Sequence, residues 1–268
     1  MDKRIGFIGV GKMAQTIITG LVESFDGINE LIFITNRTRS KGEIFSQEKR
    51  INLCDDNLAL VNNSDVIFLS IKPDQYHGVL EEIKDFVRDD QIIVSMAAGI
   101  AIKDLENYFT SDKKILRIMP NVAVAVREGI TVISQNKKVL DHELKLVVDL
   151  LNSIGKVDVI EEAMIDMVTT VSGCSPAFVA QFAEALADGA VLQGVPRDKA
   201  YQFAAQALLG TAKMLLELQL HPGELKDLVT SPGGVTVQGV ATLEKLGFRG
   251  AVIEAMEACG RKIQELAE

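Results

Sequence analysis

The stretch GFIGVGKMAQTI, Gly6–Ile17, decides the fold of this chain. It joins an apolar strand pattern to a helical pattern through Gly9 and Gly11, and Ala14 completes a G-x-G-x-x-A spacing. In such a turn the first glycine allows a tight bend, the second lets the backbone approach a pyrophosphate, and the small third residue lets the helix pack on the strand. The alternative is a glycine turn that binds nothing. The strand–turn–helix context favours a dinucleotide site, and we assign to it Gly9, Gly11, Lys12 and Met13.

Strand and helix patterns continue to alternate after this turn, up to about Ile160. Several of the strand patterns are apolar at consecutive positions, as in parallel strands covered on both faces. The predicted strands are Arg4–Val10, Leu31–Thr35, Asp65–Ser70, Gln91–Met96, Lys114–Pro120 and Gly129–Ser134. The predicted helices between them are Met13–Glu23, Arg39–Glu48, Gln75–Val87, Lys103–Phe109 and Lys138–Asn152. This alternation predicts an α/β fold with a Rossmann-like, doubly wound parallel sheet over residues 1–160.

Residues 161–268 carry only helical patterns and form the second predicted domain. Two of its helices, within Pro176–Gln193 and Arg197–Leu218, are apolar on most faces and rich in alanine. A helical domain of about a hundred residues has little interior in which to bury such helices. We therefore expect a homodimer formed by this domain, with a self-contained bundle as the alternative.

The end of the second strand indicates which dinucleotide is bound. NAD-binding proteins usually place an acidic residue there, on the ribose 2′-hydroxyl. Here the sequence is ITNRTRS, Ile34–Ser40, which has no carboxylate but contains Asn36, Arg37 and Arg39. Arginine can hold a 2′-phosphate with two hydrogen bonds. The sequence therefore favours NADP, with Asn36 and Arg37 as ligands, over NAD; arginines exposed at an ordinary helix start are the alternative.

Composition and residue spacing exclude several other classes of protein. The chain of 268 residues has a net charge of −9, no tryptophan and 5% aromatic residues, so a base-stacking nucleic-acid surface is not expected. Its three cysteines and three histidines are scattered, which excludes the usual metal-site spacings. The longest uncharged run, Met167–Ala183, contains polar residues and is too short to span a membrane. We expect a cytoplasmic protein without a metal.

Taken together, the motifs resemble pyrroline-5-carboxylate reductases, which catalyse the last step of proline biosynthesis. The resemblance rests on the order and spacing of short pieces along almost the whole chain, of which the last is the most specific. These pieces are GFIGVGKMA, NR at Asn36–Arg37, SIKPD, AAGI, RIMPN, VSGCSPAF, GVPRDKA and HPGELKDLVTSPGGVT at His221–Thr236.

The resemblance implies an N-terminal NADP domain and a C-terminal helical domain that dimerises by interleaving helices, with larger rings of dimers in some members. It also implies roles for individual residues. Asn57 would contact the adenosine ribose, and the cofactor crevice would be lined by Ser70, Lys72, Pro73 and Ala97. The substrate site would lie between the nicotinamide and the Pro-Gly-Gly loop, near the dimer interface, and Ser231, Gly234, Val235 and Thr236 would hold the substrate.

The loop around Pro232–Gly234 opens directly into a helical pattern, and no acidic residue occurs between Asp227 and Glu244. Free backbone N–H groups at such a helix start can bind the substrate carboxylate. Thr236 could then offer its hydroxyl to the ring nitrogen, so we assign it the catalytic role. The alternative is an interhelix turn capped by Thr236, which needs no ligand.

Three functions remain to be distinguished. The first is NADPH-dependent reduction of 1-pyrroline-5-carboxylate to L-proline. The second is reduction of another cyclic imine or a β-hydroxy acid, although SGCSPAFVAQFAEAL lacks the lysine that β-hydroxyacid dehydrogenases use. The third is a non-catalytic NADP sensor. Cys174, Ser175 and the Val122–Ala123 pair depart from the family pattern, which bears on the breadth of substrates.

Overall fold

The computed structural model describes residues 2–109 and 112–267. The chain divides into two compact units, which are Met1–Gly173 with Gly260–Glu268, and Cys174–Cys259. Each unit has its own core, so each is described by itself below.

An eight-stranded sheet forms the centre of the first unit. Its strands are β1 Ile5–Ile8, β2 Ile32–Thr35, β3 Asn52–Leu53, β4 Val66–Leu69, β5 Ile92–Ser95, β6 Lys114–Pro120, β7 Gly129–Gln135 and β8 Gly155–Val159. Their spatial order is β3-β2-β1-β4-β5-β6-β7-β8. All neighbours pair in parallel except β6 and β7, which are antiparallel. The predicted fold class is confirmed, with this one reversal of strand direction as a difference.

Helices cover both faces of the sheet in the first unit. They are α1 Lys12–Ser24, α2 Arg39–Lys49, α3 Asn57–Asn62, α4 Tyr76–Ile83, α5 Ile102–Glu106, α6 Asp141–Asn152 and α7 Glu162–Thr169. Apolar residues of α1, α2 and α6 pack on one face together with Phe7 and Phe68, whose rings stack 4.6 Å apart. Residues of α3, α4 and α5 pack on the other face with Ile8 and Leu69. Consecutive strand residues thus point to opposite faces, and both are buried.

The second unit is built from helices. They are α8 Ser175–Leu192, α9 Arg197–Glu217, α10 Pro222–Val229, α11 Val235–Lys245 and the first part of α12 Phe248–Ala267. Its small core contains the alanines Ala187, Ala200 and Ala204. Larger apolar side chains on the same helices are exposed, among them Leu192 at 89%, Phe203 at 63% and Leu216 at 78%. This surface is typical of a chain that buries its helices against a second copy.

One continuous stretch, Glu162–Leu192, is long and apolar enough to cross a membrane by length and composition. It joins α7 to α8 through a turn of π-helix at Thr170–Cys174. A helix that packs in a protein interface passes the same test, because both environments favour apolar side chains.

Candidate functional site

The turn between β1 and α1 has the geometry that its glycines predict. Gly9 has φ +89°, and a Cβ added there would lie 2.7 Å from the carbonyl oxygen of Ser70. Gly9 N–H donates to the Thr35 carbonyl at 2.9 Å, which fixes the turn against β2. A Cβ on Gly11 would meet nothing within 4 Å, so the space above Gly11 is open to a ligand. Only glycine fits the first position, and the second leaves room for an anion.

The N-terminus of α1 has the donors that a pyrophosphate requires. No side chain caps this helix end, and its first turn contains no acidic residue. Asn36 holds the turn in place, because its Oδ1 accepts from Val10 N–H at 3.1 Å while its Nδ2 donates to the Thr38 carbonyl at 2.8 Å. Free N–H groups and the helix dipole both favour an anion here.

A crevice of about 700 Å³ runs along the carboxyl ends of β1, β2 and β4. Ligands of doubly wound sheets bind at this edge. The crevice brings together seven of the residues assigned to the cofactor from the sequence. These are Gly9, Gly11, Asn36, Arg37, Asn57, Ser70 and Lys72.

The two arginines after β2 differ in what they contact. Arg39 pairs with Glu43 at 3.1 Å and with Asp55 at 3.0 Å, which raises the pKa of its guanidinium. Arg37 is exposed and forms no ion pair within the described residues. Arg37 is therefore free to meet a phosphate, whereas Arg39 would first have to leave its carboxylates.

Three carboxylates that the sequence did not point to also line the crevice. Each of them is engaged: Asp55 pairs with Arg39, Asp56 accepts from Ala59 N–H at 2.7 Å as the cap of α3, and Glu82 accepts from Asn57 Nδ2 at 2.8 Å. Asp55 and Asp56 reach the crevice because they follow β3, and Glu82 reaches it because it lies on α4. Among the described residues only the Asp55 carboxylate is balanced by a cation, so it repels an incoming anion less than Asp56 and Glu82, whose hydrogen bonds come from neutral amides.

Asn57 and Cys54 add no charge of their own to this wall of the crevice. Asn57 Oδ1 accepts from Thr35 Oγ1 at 2.8 Å, so both ends of its amide are occupied. Burial, and then the charges of Asp55 and Asp56, raise the pKa of the Cys54 thiol to about 11. Cys54 is therefore a neutral thiol at physiological pH and adds no negative charge.

A smaller cavity of about 200 Å³ lies beside Gly11. Its wall is mainly apolar and includes three methionines, Met13, Met96 and Met119, together with Ser70. Ser70 Oγ lies 3.8 Å from the Met96 sulfur. An apolar cavity that opens beside a phosphate-binding turn can accept a flat, weakly polar ring.

The remaining cofactor assignments, Lys12, Pro73 and Ala97, line neither of these two cavities. Lys12 borders a separate open cleft with Glu23 and Arg127, which pair with each other at 2.8 Å. Pro73 begins a turn of 3-10 helix, Pro73–Gln75, after β4. The Ala97 side chain is 3% exposed and packs in the core.

In the second unit, the loop after α10 leads into α11 through two glycines. Gly233 has φ +69°, and Gly234 N–H donates to the Ser231 carbonyl at 3.0 Å. Gly234 is the N-cap residue of α11 and, like the turn at Gly11, offers no side-chain cap and no acid in the first turn. This helix start is therefore a second anion-binding candidate.

Thr236 is exposed in the first turn of α11. Thr211, Thr230 and Thr242 each donate their hydroxyl to the carbonyl four residues before them. Within the described residues, the Thr236 hydroxyl forms no hydrogen bond. It is available to a ligand that the N–H groups of the same turn would bind.

The described residues contain no group of three or more histidine, cysteine or acidic side chains that could hold a metal ion. The donors at the two helix starts are instead backbone N–H groups, hydroxyls and Arg37. This set suits phosphate and carboxylate ligands.

Two family models match the chain. Residues 162–266 match a model described as pyrroline-5-carboxylate reductase dimerisation, and residues 4–99 match one described as NADP oxidoreductase, coenzyme F420-dependent. The two matched segments fall on the helical part and on the glycine-turn part of the chain respectively.

Full-length relatives have the same name as the first of these models. The pyrroline-5-carboxylate reductase of Escherichia coli is 41% identical over 268 residues, which is all of both chains. The structure of the enzyme from Coxiella burnetii matches with a TM-score of 0.91 at 31% identity and full coverage of both chains. The Plasmodium falciparum enzyme, solved with NADP bound, matches with a TM-score of 0.90 at 30% identity, covering 100% of this chain and 99% of the other.

Proposed function

The chain belongs to the pyrroline-5-carboxylate reductase family, and on this premise we propose that it reduces 1-pyrroline-5-carboxylate to L-proline with NADPH. It is an oxidoreductase that acts on a ring C=N bond in proline biosynthesis. NADPH, when bound, supplies the hydride that adds to the ring carbon of the protonated C=N bond, and the product is the ring amine of proline. The roles of the residues below are our assignments.

The first unit holds the cofactor. The open backbone at Gly11 and the uncapped start of α1 bind the pyrophosphate, and Arg37 binds the 2′-phosphate. The cavity walled by Met13, Met96 and Ser70 takes the nicotinamide end. Lys12, Asn36, Asn57, Lys72, Pro73 and Ala97 complete the assigned set, either at the crevice or by supporting its walls.

The start of α11 holds the substrate. Its free N–H groups at Val235 and Thr236, with the Ser231 hydroxyl, bind the carboxylate without an arginine, and Gly234, whose own N–H is held by the Ser231 carbonyl, leaves room for it. Each charge-assisted hydrogen bond contributes about 1.5–3 kcal/mol. The Thr236 hydroxyl orients the ring nitrogen. A protonated imine is already electrophilic, so orientation rather than a strong general acid drives this reaction.

The observation that carries this proposal is a pair of helix starts, at Gly11 and at Gly234, that have neither a side-chain cap nor an acidic residue in the first turn. They occur in a chain that matches the named enzyme over its whole length. The test is oxidation of NADPH by the purified protein with 1-pyrroline-5-carboxylate, compared with NADH. We expect turnover with both cofactors and a lower KM for NADPH. Cofactor binding without turnover would instead support an NADP sensor.

A second candidate is another cyclic imine, favoured by the exposed Val122 in the segment after β6 that departs from the family sequence. Initial rates with a series of five- and six-membered cyclic imino acids separate the two. β-Hydroxy acids form the negative control, since α8 has no lysine to handle an alcohol proton.

The helical domain matched by the dimerisation model forms a homo-oligomer. We propose a dimer, with larger rings of dimers as a further level of assembly, and a cytoplasmic enzyme that binds neither nucleic acid nor membrane. Assignment of the apolar stretch Glu162–Leu192 to the subunit interface accounts for its composition. We also propose that the functional boundary between the NADP domain and the dimerisation domain lies at 160/161.

A further inference from the structure

Tyr76 has a buried hydroxyl that links the ends of two strands. It is the first residue of α4 and is 3% exposed. Its hydroxyl donates to the Leu69 carbonyl at 2.9 Å, contacts Ser95 Oγ at 3.0 Å and accepts from Met96 N–H at 3.3 Å. One side-chain oxygen therefore satisfies groups on both β4 and β5.

These contacts lie directly behind the smaller cavity. Leu69 and Ser95 are the last residues of β4 and β5 and face each other in the sheet register. The next residue of each strand end, Ser70 and Met96, lines the cavity. Tyr76 itself does not line the cavity, so its effect on a ligand there must pass through these two residues.

Part of the hydrogen bonding at the strand ends comes from this hydroxyl, since Ser70 N–H bonds to the Ile8 carbonyl whereas the Leu69 carbonyl and Met96 N–H bond to Tyr76. Beyond Ser95 the ladder of β5 stops, and Met96 N–H has Tyr76 as its partner. Burial raises the pKa of Tyr76 to about 12, so the hydroxyl keeps its proton and remains a donor to Leu69 at physiological pH. A buried N–H or C=O group that loses its partner costs about 1–3 kcal/mol, and the chain moves to avoid that cost.

We propose that Tyr76 is a positioning residue for the reduction: its hydroxyl fixes Ser70 and Met96, the walls of the cavity beside Gly11. This inference rests on the proposed function, which places the nicotinamide end of NADPH in that cavity. The adenosine end lies in the other crevice, where Arg37 and Asn57 have no hydrogen bond to the Tyr76 hydroxyl and Ser70 is the wall residue shared with the smaller cavity. The two halves of the cofactor should therefore respond differently when the hydroxyl is removed.

The test is Tyr76→Phe, which removes one oxygen and keeps the ring in the core. We expect kcat to fall about tenfold, the Kd of NADPH to rise no more than about threefold, and the Kd of 2′,5′-ADP to stay unchanged. In the protein without ligand, the Met96 amide should exchange its hydrogen at least about tenfold faster. This exchange measurement does not depend on activity.

The matched control is Tyr108→Phe. Tyr108 also gives a hydroxyl contact beside α4, to His77 Nδ1 at 3.1 Å, but His77 is exposed, Tyr108 is half-buried, and their contact involves no strand-end residue. We expect this variant to keep the wild-type kcat and the wild-type exchange at Met96. If Tyr76→Phe does not fold, Ser95→Ala removes a single partner of the same hydroxyl and should show the same pattern at a smaller amplitude.

Three outcomes would overturn the proposal. They are an unchanged kcat in Tyr76→Phe, an equal loss of affinity for NADPH and 2′,5′-ADP, or the same changes in Tyr108→Phe. Failure of the proposed function would be visible in a different experiment, because the wild-type protein would then not oxidise NADPH with any cyclic imine. The ligand affinities and the Met96 exchange would still test Tyr76 in that case.

Discussion

At the scale of single residues, the hydroxyl of Thr236 and the guanidinium of Arg37 have in common that no hydrogen bond or ion pair to another described residue holds them. Most polar side chains near them are occupied: Thr230 and Thr242 bond to their own helices, and Arg39 is held by Asp55. A group left free in this way has no internal bond to break before it binds a ligand, although ordering its side chain still costs entropy. The two residues therefore allow direct tests of the two anion sites.

Thr236→Ala should lower kcat/KM for the imine by about 10- to 100-fold, because one hydrogen bond to the reacting ring is lost. The Kd of NADPH should not change. Steady-state kinetics and cofactor titration by fluorescence measure both quantities. Thr242→Ala is the control, since it removes a hydroxyl of the same helix that bonds only to the Gln238 carbonyl. Wild-type turnover in Thr236→Ala would remove this residue from the site.

Arg37→Ala should raise the Kd of NADPH by about 10- to 100-fold and leave that of NADH within about twofold, because only NADPH carries the 2′-phosphate. Calorimetric titration with both cofactors measures the ratio. Lys137→Ala, an exposed lysine after β7, removes the same charge away from the crevice and should change neither value. An unchanged preference for NADPH over NADH in Arg37→Ala would mean that other residues bind the 2′-phosphate.

What the sequence could predict at this scale depended on local chemistry. The glycine turn and the arginines after β2 could be predicted because their function depends on residues that are close together in the sequence. Asp55, Glu82 and Tyr76 are not, because their roles arise only when β3, α4 and the strand ends come together. No local pattern distinguishes Tyr76 from a tyrosine that simply fills the core.

At the scale of elements, the apolar runs predicted six strands of the sheet and nearly all of the helices. The elements that the sequence pattern did not predict are short or half-exposed. β3 has two residues, α3 has six, and β8 contains the exposed Lys156 and Asp158, as an edge strand permits. The sequence also did not predict the antiparallel pairing of β7 with β6, because a central strand has the same pattern of buried residues whichever way it runs.

Gly9→Ala and Gly27→Ala distinguish two reasons for a glycine in a turn, which are a positive φ and a lack of space for a side chain. Both residues have positive φ, +89° and +76°, but only Gly9 has the Ser70 carbonyl against its missing side chain. We expect Gly27→Ala to cost about 1 kcal/mol of unfolding free energy and Gly9→Ala at least about 3 kcal/mol. Urea unfolding measures both. Equal costs would show that the contact with β4 relaxes easily.

At the scale of the whole molecule, the apolar helices of the second unit indicated a partner because the unit has so little interior. The structure shows the same surface as exposed leucines and phenylalanines around a core of alanines. The sequence could predict that such an interface exists but not how many subunits assemble through it, since that number depends on geometry between chains.

Phe203→Asp should dissociate the oligomer, because a carboxylate replaces an apolar side chain that the partner subunit would bury. Ile44→Asp is the control: Ile44 is as exposed, at 67% against 63%, but lies on α2 of the first unit. Sedimentation velocity at micromolar concentration compares the two. An intact oligomer in Phe203→Asp, or dissociation in both variants, would place the interface elsewhere.

The three methionines around the small cavity give the protein a particular weakness towards peroxide. Conversion of Met13, Met96 or Met119 to its sulfoxide would put a polar oxygen into the cavity where we propose that the nicotinamide ring binds. Damage there would stop turnover while the adenosine crevice stayed intact. Enzymatic repair of the sulfoxides should restore the activity that is lost through these methionines.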